Sequence, residues 1–253
     1  MMISTMAHKQ VKKILIGFSV FAFWIGIWYL LALIVGNNFL LPTPHSTVTA
    51  LFNLMKEAKF YKAVLFSFLR VITGVSLGAV AGILLAFLSH RVALVRRLLS
   101  PLVSIVKATP VVAFITLLWI TMSGNVLTVF IAFLMVCPIV WQNLLNGLDA
   151  IPRELSELCD VFQLSKKKRI KLLMLPVLFN YFFPALITSI GLAWKAEIAT
   201  EIITYTKNSI GQNISDARYF LLTDEVFAWV AVIITFSILL EILTKKILGR
   251  FNR

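Results

Sequence analysis

From Ala108 to Leu148 the chain carries no Asp, Glu, Lys, Arg or His. A run of that length does not fit the core of a small soluble domain, and it is about twice the 20 or so apolar residues that a helix needs to cross a hydrocarbon layer of about 30 Å. Thr121-Met122-Ser123-Gly124-Asn125 places turn-forming residues near its middle, so the run reads as a hairpin of two spans, the first beginning near Pro101. Comparable stretches lie at Ile14–Val35, Val71–Ser89 and Leu172–Trp194, and Val226–Leu240 opens another that continues past Glu241. Composition agrees with this reading. Of 253 residues, 60% are hydrophobic and 14% charged, whereas an ordinary soluble domain is about 25% charged. The expected fold is all-α: a polytopic membrane protein with six transmembrane helices at about 14–35, 68–89, 101–120, 125–146, 172–196 and 226–246. They form one domain (14–250) behind a short N-terminal segment (1–13).

The net charge of +13 would suggest nucleic acid in a soluble protein. Here its distribution gives topology instead. Sixteen of the 24 basic residues fall on one side of the expected spans: Lys9, Lys12 and Lys13; Arg91, Arg96 and Arg97; Arg153 and the Lys166–Lys171 run; and Lys245, Lys246, Arg250 and Arg253. Six (Lys56, Lys59, Lys62, Arg70, Lys207 and Arg218) fall on the other. The positive-inside rule places the first side, and with it both termini, in the cytoplasm. The first apolar run is too long for a secretory signal and no small-residue cleavage site follows Val35, so it reads as a retained span. Cys137 and Cys159 sit in different environments and imply neither a disulfide nor a metal site. The chain has no G-x-x-x-x-G-K-[ST], H-E-x-x-H or C-x-x-C, so no catalytic residue, cofactor or metal is assigned, and any energy source is a partner or an ion gradient.

The longest loop between spans, 149–176, is the most informative. Pro152 suits the first helical position, with Glu154 in the first turn. Leu155, Leu158, Val161 and Phe162 recur at helical spacing, and Ser165 suits the N-cap of a second, basic helix that runs to Pro176. Two readings stay open on physics alone: a helix pair lying on anionic lipid headgroups, or a docking element whose first helix fits a partner's groove.

The loop also resembles a known pattern. Permease subunits of bacterial ATP-binding-cassette importers carry Glu-Ala-Ala, three residues, Gly, about nine residues and a hydrophobic-x-Leu-Pro ending. Here Glu157-Leu158-Cys159 occupies the first place, Gln163 falls on the glycine, and Leu173-Met174-Leu175-Pro176 supplies the ending. Leu41-Pro42-Thr43-Pro44, Leu164-Ser165, Gly191-Leu192-Ala193-Trp194 and Ser209-Ile210-Gly211 resemble the nitrate, sulfonate and taurine group of these importers. The resemblance implies a type I importer permease fold and a homodimer, two copies of a partner ATPase, an extracytoplasmic solute-binding protein and a place in the bacterial inner membrane. It also implies alternating access and solutes such as nitrate, sulfonates or taurine. Pro152, Arg153, Glu154, Glu157, Leu158, Asp160, Gln163, Leu164 and Pro176 would then couple the permease to the ATPase. A glycine in that place ends the helix in the left-handed conformation, which Gln163 would adopt at a cost of about 1 kcal/mol.

Inside the spans, Gly74, Gly78 and Gly82 repeat every four residues and form a small face for close helix approach. Pro110 and Pro138 would kink their helices. Lys107, Lys195, Glu197 and Glu201 lie within or beside apolar segments, where a charge costs about 2.5–3.5 kcal/mol on insertion scales, so they are candidates for lining a translocation pathway. Snorkelling to the interface is the plainer account of Lys107. Two rivals remain. An ion-gradient-driven secondary transporter predicts internal repeats, which the sequence lacks. A membrane-embedded enzyme needs a polar cluster, whereas His8, His45 and His90 are scattered.

Overall fold

The computed structural model describes residues 2–248, with side chains from Leu15 to Lys246 apart from Ser156 and Lys166. The side chains of Lys9, Lys12 and Lys13, and Arg250 and Arg253 altogether, lie outside the described residues. The described chain is helical throughout: α1 (Met2–Val35), α2 (Pro44–Leu54), α3 (Ala58–Arg91), α4 (Ala93–Ala108), α5 (Val111–Trp119), α6 (Gly124–Asp149), α7 (Arg153–Val161), α8 (Lys166–Arg169), a π-helical turn (Ile170–Met174), α9 (Leu175–Thr204), α10 (Ile210–Tyr219) and α11 (Thr223–Leu248). Five helices are long and apolar enough to cross a membrane, and a sixth crossing is formed if α4 and α5 count as one.

That pair covers the span expected at 101–120, and at Pro110, where a kink is expected, the helix breaks outright. It bends by 101° between Ala108 and Val111. The cause is local: Pro110 has no N–H to donate, and its ring drives the preceding residue out of helical conformation. Thr109 is accordingly extended (φ −88°, ψ 132°), and its hydroxyl turns back to donate to the Ile105 carbonyl at 2.8 Å. Pro138, by contrast, is accommodated inside an unbroken α6. The second span also begins earlier than expected, since α3 starts at Ala58 and carries Lys59, Lys62 and Arg70 within the helix.

The chain divides into two compact units. One comprises the N-terminal part through Phe60 together with Ile214–Val232. In it, Leu41-Pro42-Thr43-Pro44 serves as a helix start: Thr43 caps α2 by accepting from the Ser46 amide at 3.2 Å, and Pro44 takes the first turn, where its missing donor is no loss. The Trp28 indole donates to the Pro42 carbonyl at 3.0 Å and stacks on Phe227, while Phe60 stacks on Trp229. The outer face of α1 stays apolar, with Phe18, Phe21 and Trp24 all exposed, as a lipid-facing helix requires.

The other unit comprises Tyr61–Asn213 and the chain from Ile233 onward. Its core forms where α6 packs against α3 and α9, through Val136, Val140, Trp141, Leu144, Ala193 and their neighbours. The α3 glycines permit the close approach. A Cβ on Gly78 would lie 2.8 Å from the Val136 Cβ and 3.0 Å from the Phe133 carbonyl, and one on Gly82 would lie 2.8 Å from the Val140 Cβ. Replacing Gly78 by Val is expected to destabilise the fold by about 1–3 kcal/mol through overpacking. Gly26→Ala, inside α1 where an added Cβ meets nothing within 4 Å, should not destabilise the fold. Thermal unfolding of both variants in detergent measures the contrast.

Candidate functional site

Three constructions in the larger unit carry the residues singled out by sequence. The first is the loop after α6. Pro152 precedes the first helical residue of α7 rather than occupying it. Arg153, Glu154, Glu157, Leu158 and Asp160 are all exposed along the helix, and Leu158, Val161 and Phe162 leave an uncovered apolar edge, with Val161 76% and Phe162 71% exposed. Its C-terminus is built as the glycine motif would build it. Gln163 takes φ 48°, the left-handed conformation. The Gln163 amide donates to the Asp160 carbonyl at 3.0 Å, and the Leu164 amide donates to the Cys159 carbonyl at 2.9 Å. These two bonds satisfy carbonyls that a helix end otherwise orphans.

Arg169 then pairs with Asp160 at 3.0 Å and ties α8 back to α7. At the adjacent helix ends, Asp149 accepts from Arg96 at 2.8 Å and lies 3.4 Å from His90. Pro176 sits in the first turn of α9 rather than ending the basic helix. The π-helical turn just before it lengthens the hydrogen-bonding step where the proline has no donor to offer.

The second construction is a polar knot at the opposite end of α9. Glu197 and Glu201 share a face, as their four-residue spacing requires, and both are fully buried. The Glu201 carboxylate accepts from the Ser67 hydroxyl at 2.7 and 2.8 Å, from the Arg70 guanidinium at 2.9 Å and from the Gly211 amide at 3.1 Å. Arg70 also donates to the Asn125 side chain and the Lys207 carbonyl, both at 2.9 Å. The knot therefore joins α3, α6, α9 and the start of α10. Gly211 has no substitute at this spot, since an added Cβ would fall 2.5 Å from the Ile202 nitrogen and 2.6 Å from the Glu201 carbonyl carbon. Glu197, one turn earlier, is buried on the same face, and neither of its carboxyl oxygens has a hydrogen-bond partner among the described residues. Neither glutamate lines the cavities that hold the two lysines. Ser67, Arg70, Asn125 and Gly211 complete the knot; the sequence alone offers Arg70 as a loop charge, Asn125 as a turn residue and Gly211 as part of a family-like motif, and does not mark Ser67. Nothing along the chain announces a pairing across 131 positions.

The third construction is a pair of cavities. One, of about 370 Å³, opens between α9 and α11 and is lined by Thr188, Gly191, Leu192, Lys195, Ser237, Glu241 and Lys245 among others. The other, of about 180 Å³, is lined by Lys107, Thr109, Val111, Met135, Pro138 and Leu192. Leu192 borders both.

Glu201→Gln leaves the Arg70 guanidinium, only 11% exposed, without its counter-charge, and is expected to cost about 3–5 kcal/mol of stability. Combining it with Arg70→Met should cost less than the two single changes summed. Thermal unfolding of the three variants tests this. Gln163→Gly should remove about 1 kcal/mol of left-handed strain, read as slower amide exchange across α7.

Residues 78–253 match the model of the family described as binding-protein-dependent transport system inner membrane component. The nitrate import permease protein NrtB of Synechococcus elongatus is 26% identical over 77% of this chain and 73% of its own length. The putative aliphatic sulfonates transport permease protein SsuC of Bacillus subtilis is 26% identical over 82% of this chain and 76% of its own. The taurine transport system permease protein TauC of Escherichia coli is 21% identical over 91% and 86%. Among solved structures, the crystal structure of an amino acid ABC transporter with histidines shares the fold, with a TM-score of 0.61 and 14% identity over 77% of this chain and 93% of that one. The chain is a multi-pass membrane protein and belongs to the inner membrane permease family of binding-protein-dependent ATP-binding-cassette importers.

Proposed function

We propose that this permease forms the translocation pathway of an ATP-driven importer for a small anionic or organic solute of the nitrate, sulfonate, taurine or bicarbonate kind. It works by alternating access and performs no chemistry itself. Two copies of the chain assemble in the bacterial inner membrane with both termini in the cytoplasm. Two copies of a separate ATPase bind below, and an extracytoplasmic solute-binding protein docks above. The ATPases engage Pro152, Arg153, Glu154, Glu157, Leu158, Asp160, Gln163 and Leu164, and Pro176 carries the resulting movement into α9. Lys107 and Lys195 line the pathway, while Glu201 holds its outer end together and Glu197 lies buried on the same face. The Gly74, Gly78 and Gly82 face serves packing within the chain.

The single observation that carries this reading is α7. It is a nine-residue amphipathic helix with exposed Val161 and Phe162, ended by a left-handed Gln163 in the place of the family's glycine and fastened by Arg169 to a basic segment. Burial against a partner would repay such an apolar edge, and charges along its flank would set the register. Of the described basic residues, Arg91, Arg96, Arg97, Arg153 and Lys167–Lys171 share this end of the larger unit, which supports the cytoplasmic orientation. The names of the relatives support the solute class, and the family assignment weighs against the ion-gradient alternative.

Glu157→Lys is expected to abolish ATP-dependent uptake in cells while leaving the amount of protein in the membrane unchanged. Uptake at the wild-type rate would overturn the coupling role.

A further inference from the structure

We propose that the cavity between α9 and α11 is an intramembrane station for a small oxyanion carrying a single negative charge, held by Lys195 and limited to one charge by the Glu241–Lys245 pair. The inference rests on the reading of the chain as a solute permease and adds where the solute pauses and how its charge is selected.

Depth comes first. The Trp194 indole donates to the Ile233 carbonyl at 3.2 Å, and its ring lies 6.1 Å from that of Phe236. Lys195 therefore stands level with the middle of the Thr223–Lys246 span. It does not share the buried face of Glu197 and Glu201: its neighbours Trp194 and Ala196 are buried, whereas Lys195 is exposed into the cavity. No carboxylate lies within 4 Å of it among the described residues. Glu241 lines the same cavity but lies beyond 4 Å and is bonded to Lys245; an ammonium at mid-span with no carboxylate in contact is costly in a bilayer, and it persists where it faces water or an anion.

The lining completes the chemistry. Glu241 and Lys245 are an ion pair one helical turn apart on α11 and neutralise each other. The cavity is thus left with one net positive charge, that of Lys195. Ser237 offers a hydroxyl with no partner in the fold among the described residues. The Thr188 hydroxyl donates to the Pro184 carbonyl at 3.0 Å, so only its acceptor side faces the cavity, where an ammonium can use it. Gly191 leaves the floor open, since an added Cβ there would meet nothing within 4 Å. A volume of about 370 Å³ admits an oxyanion with water around it. Across Leu192, the second cavity holds Lys107, likewise without a carboxylate within 4 Å among the described residues. Two cationic stops separated by one apolar side chain suit passage better than one deep trap, because an anion bound at several moderate sites can also leave.

The test uses the complex with its ATPases, purified in phosphatidylcholine nanodiscs and titrated calorimetrically with methanesulfonate and with the neutral isostere dimethyl sulfone. The expected result is saturable binding of methanesulfonate and none of dimethyl sulfone. Lys195→Met should weaken binding about tenfold or more, the scale of a lost charge-assisted hydrogen bond, while Lys195→Arg should largely retain it. Glu241→Gln raises the local charge by one and should bring sulfate, a dianion, to at least the affinity of methanesulfonate. Equal affinity in wild type and Lys195→Met, equal binding of the neutral isostere, or an unchanged preference against sulfate in Glu241→Gln would each overturn the station. Displacement of methanesulfonate by phosphatidylglycerol added to the nanodiscs, dependent on Lys195, would assign the site to a lipid headgroup and overturn it as a solute site. ATP-dependent uptake in proteoliposomes supplied with the binding protein tests the underlying reading separately. Uptake without Lys195-dependent binding defeats the station alone, and absence of uptake of every anion tried defeats the permease reading.

Discussion

A carboxylate deep inside a membrane protein has no water to solvate it, so one that keeps its charge needs hydrogen bonds and a counter-charge from the fold. Glu201 meets this constraint with the Ser67 hydroxyl, the Arg70 guanidinium and the Gly211 amide at the start of α10. Much of this end of the larger unit follows from that. α3 must present Ser67 and Arg70 one turn apart, and Asn125 at the start of α6 must reach the far side of the same guanidinium. The segment between α9 and α10 must double back tightly, with Tyr205 and Asn208 both at positive φ. Gly211 must also come against the α9 backbone, where no side chain fits. One ion pair thus fixes the relative heights of three helices at one end of the unit, while the other end, at Asp149, is held only by half-exposed pairs with Arg96 and His90. Exposed pairs contribute little. The asymmetry leaves one end tied and the other free to shift.

What could be read along the chain depended on whether its cause was local. The uncharged runs gave the crossing helices because the cost of a charge in hydrocarbon is paid residue by residue. The turn at Gln163 was legible because a left-handed helix ending is a property of a few consecutive residues, even with glutamine in place of glycine. The break at Pro110 was half legible. Proline marked the place, but the 101° bend depends on Thr109 finding the Ile105 carbonyl and on how α5 packs against α6 and α9 through Ile115, Leu127 and Ala196.

The knot lay beyond reach for the opposite reason. Glu201 looked like one more deep charge, and Arg70 like one more external one. The pairing depends on α3 and α9 meeting at this end of the unit, and that depends on α6 packing against both. The small α3 residues Gly74, Gly78 and Gly82 hinted at close packing without naming the partner, which is α6 at Ala132, Val136 and Val140. The spacing of Glu197 and Glu201 correctly set them on one face, away from Lys195, but could not say that this face was the interior.

The asymmetry between the ends of α9 bears on how a push at α7 would reach the solute. α9 is 30 residues long, about 45 Å at 1.5 Å per residue. One end is fixed at Glu201, and the other end at Leu175 is continuous with the π-helical turn and α8, which Arg169 fastens to α7. A helix held at one end and displaced at the other pivots. Leu175 lies about 39 Å from Glu201 along the helix and Lys195 only about 9 Å, so Lys195 moves about a quarter as far as the driven end. In the proposed cycle this geometry keeps the lysine nearly stationary while the walls below it separate or close. Alternating access has the same requirement: a fixed binding point with movable barriers on either side, so that the anion is passed from one face to the other without its counter-charge being carried along.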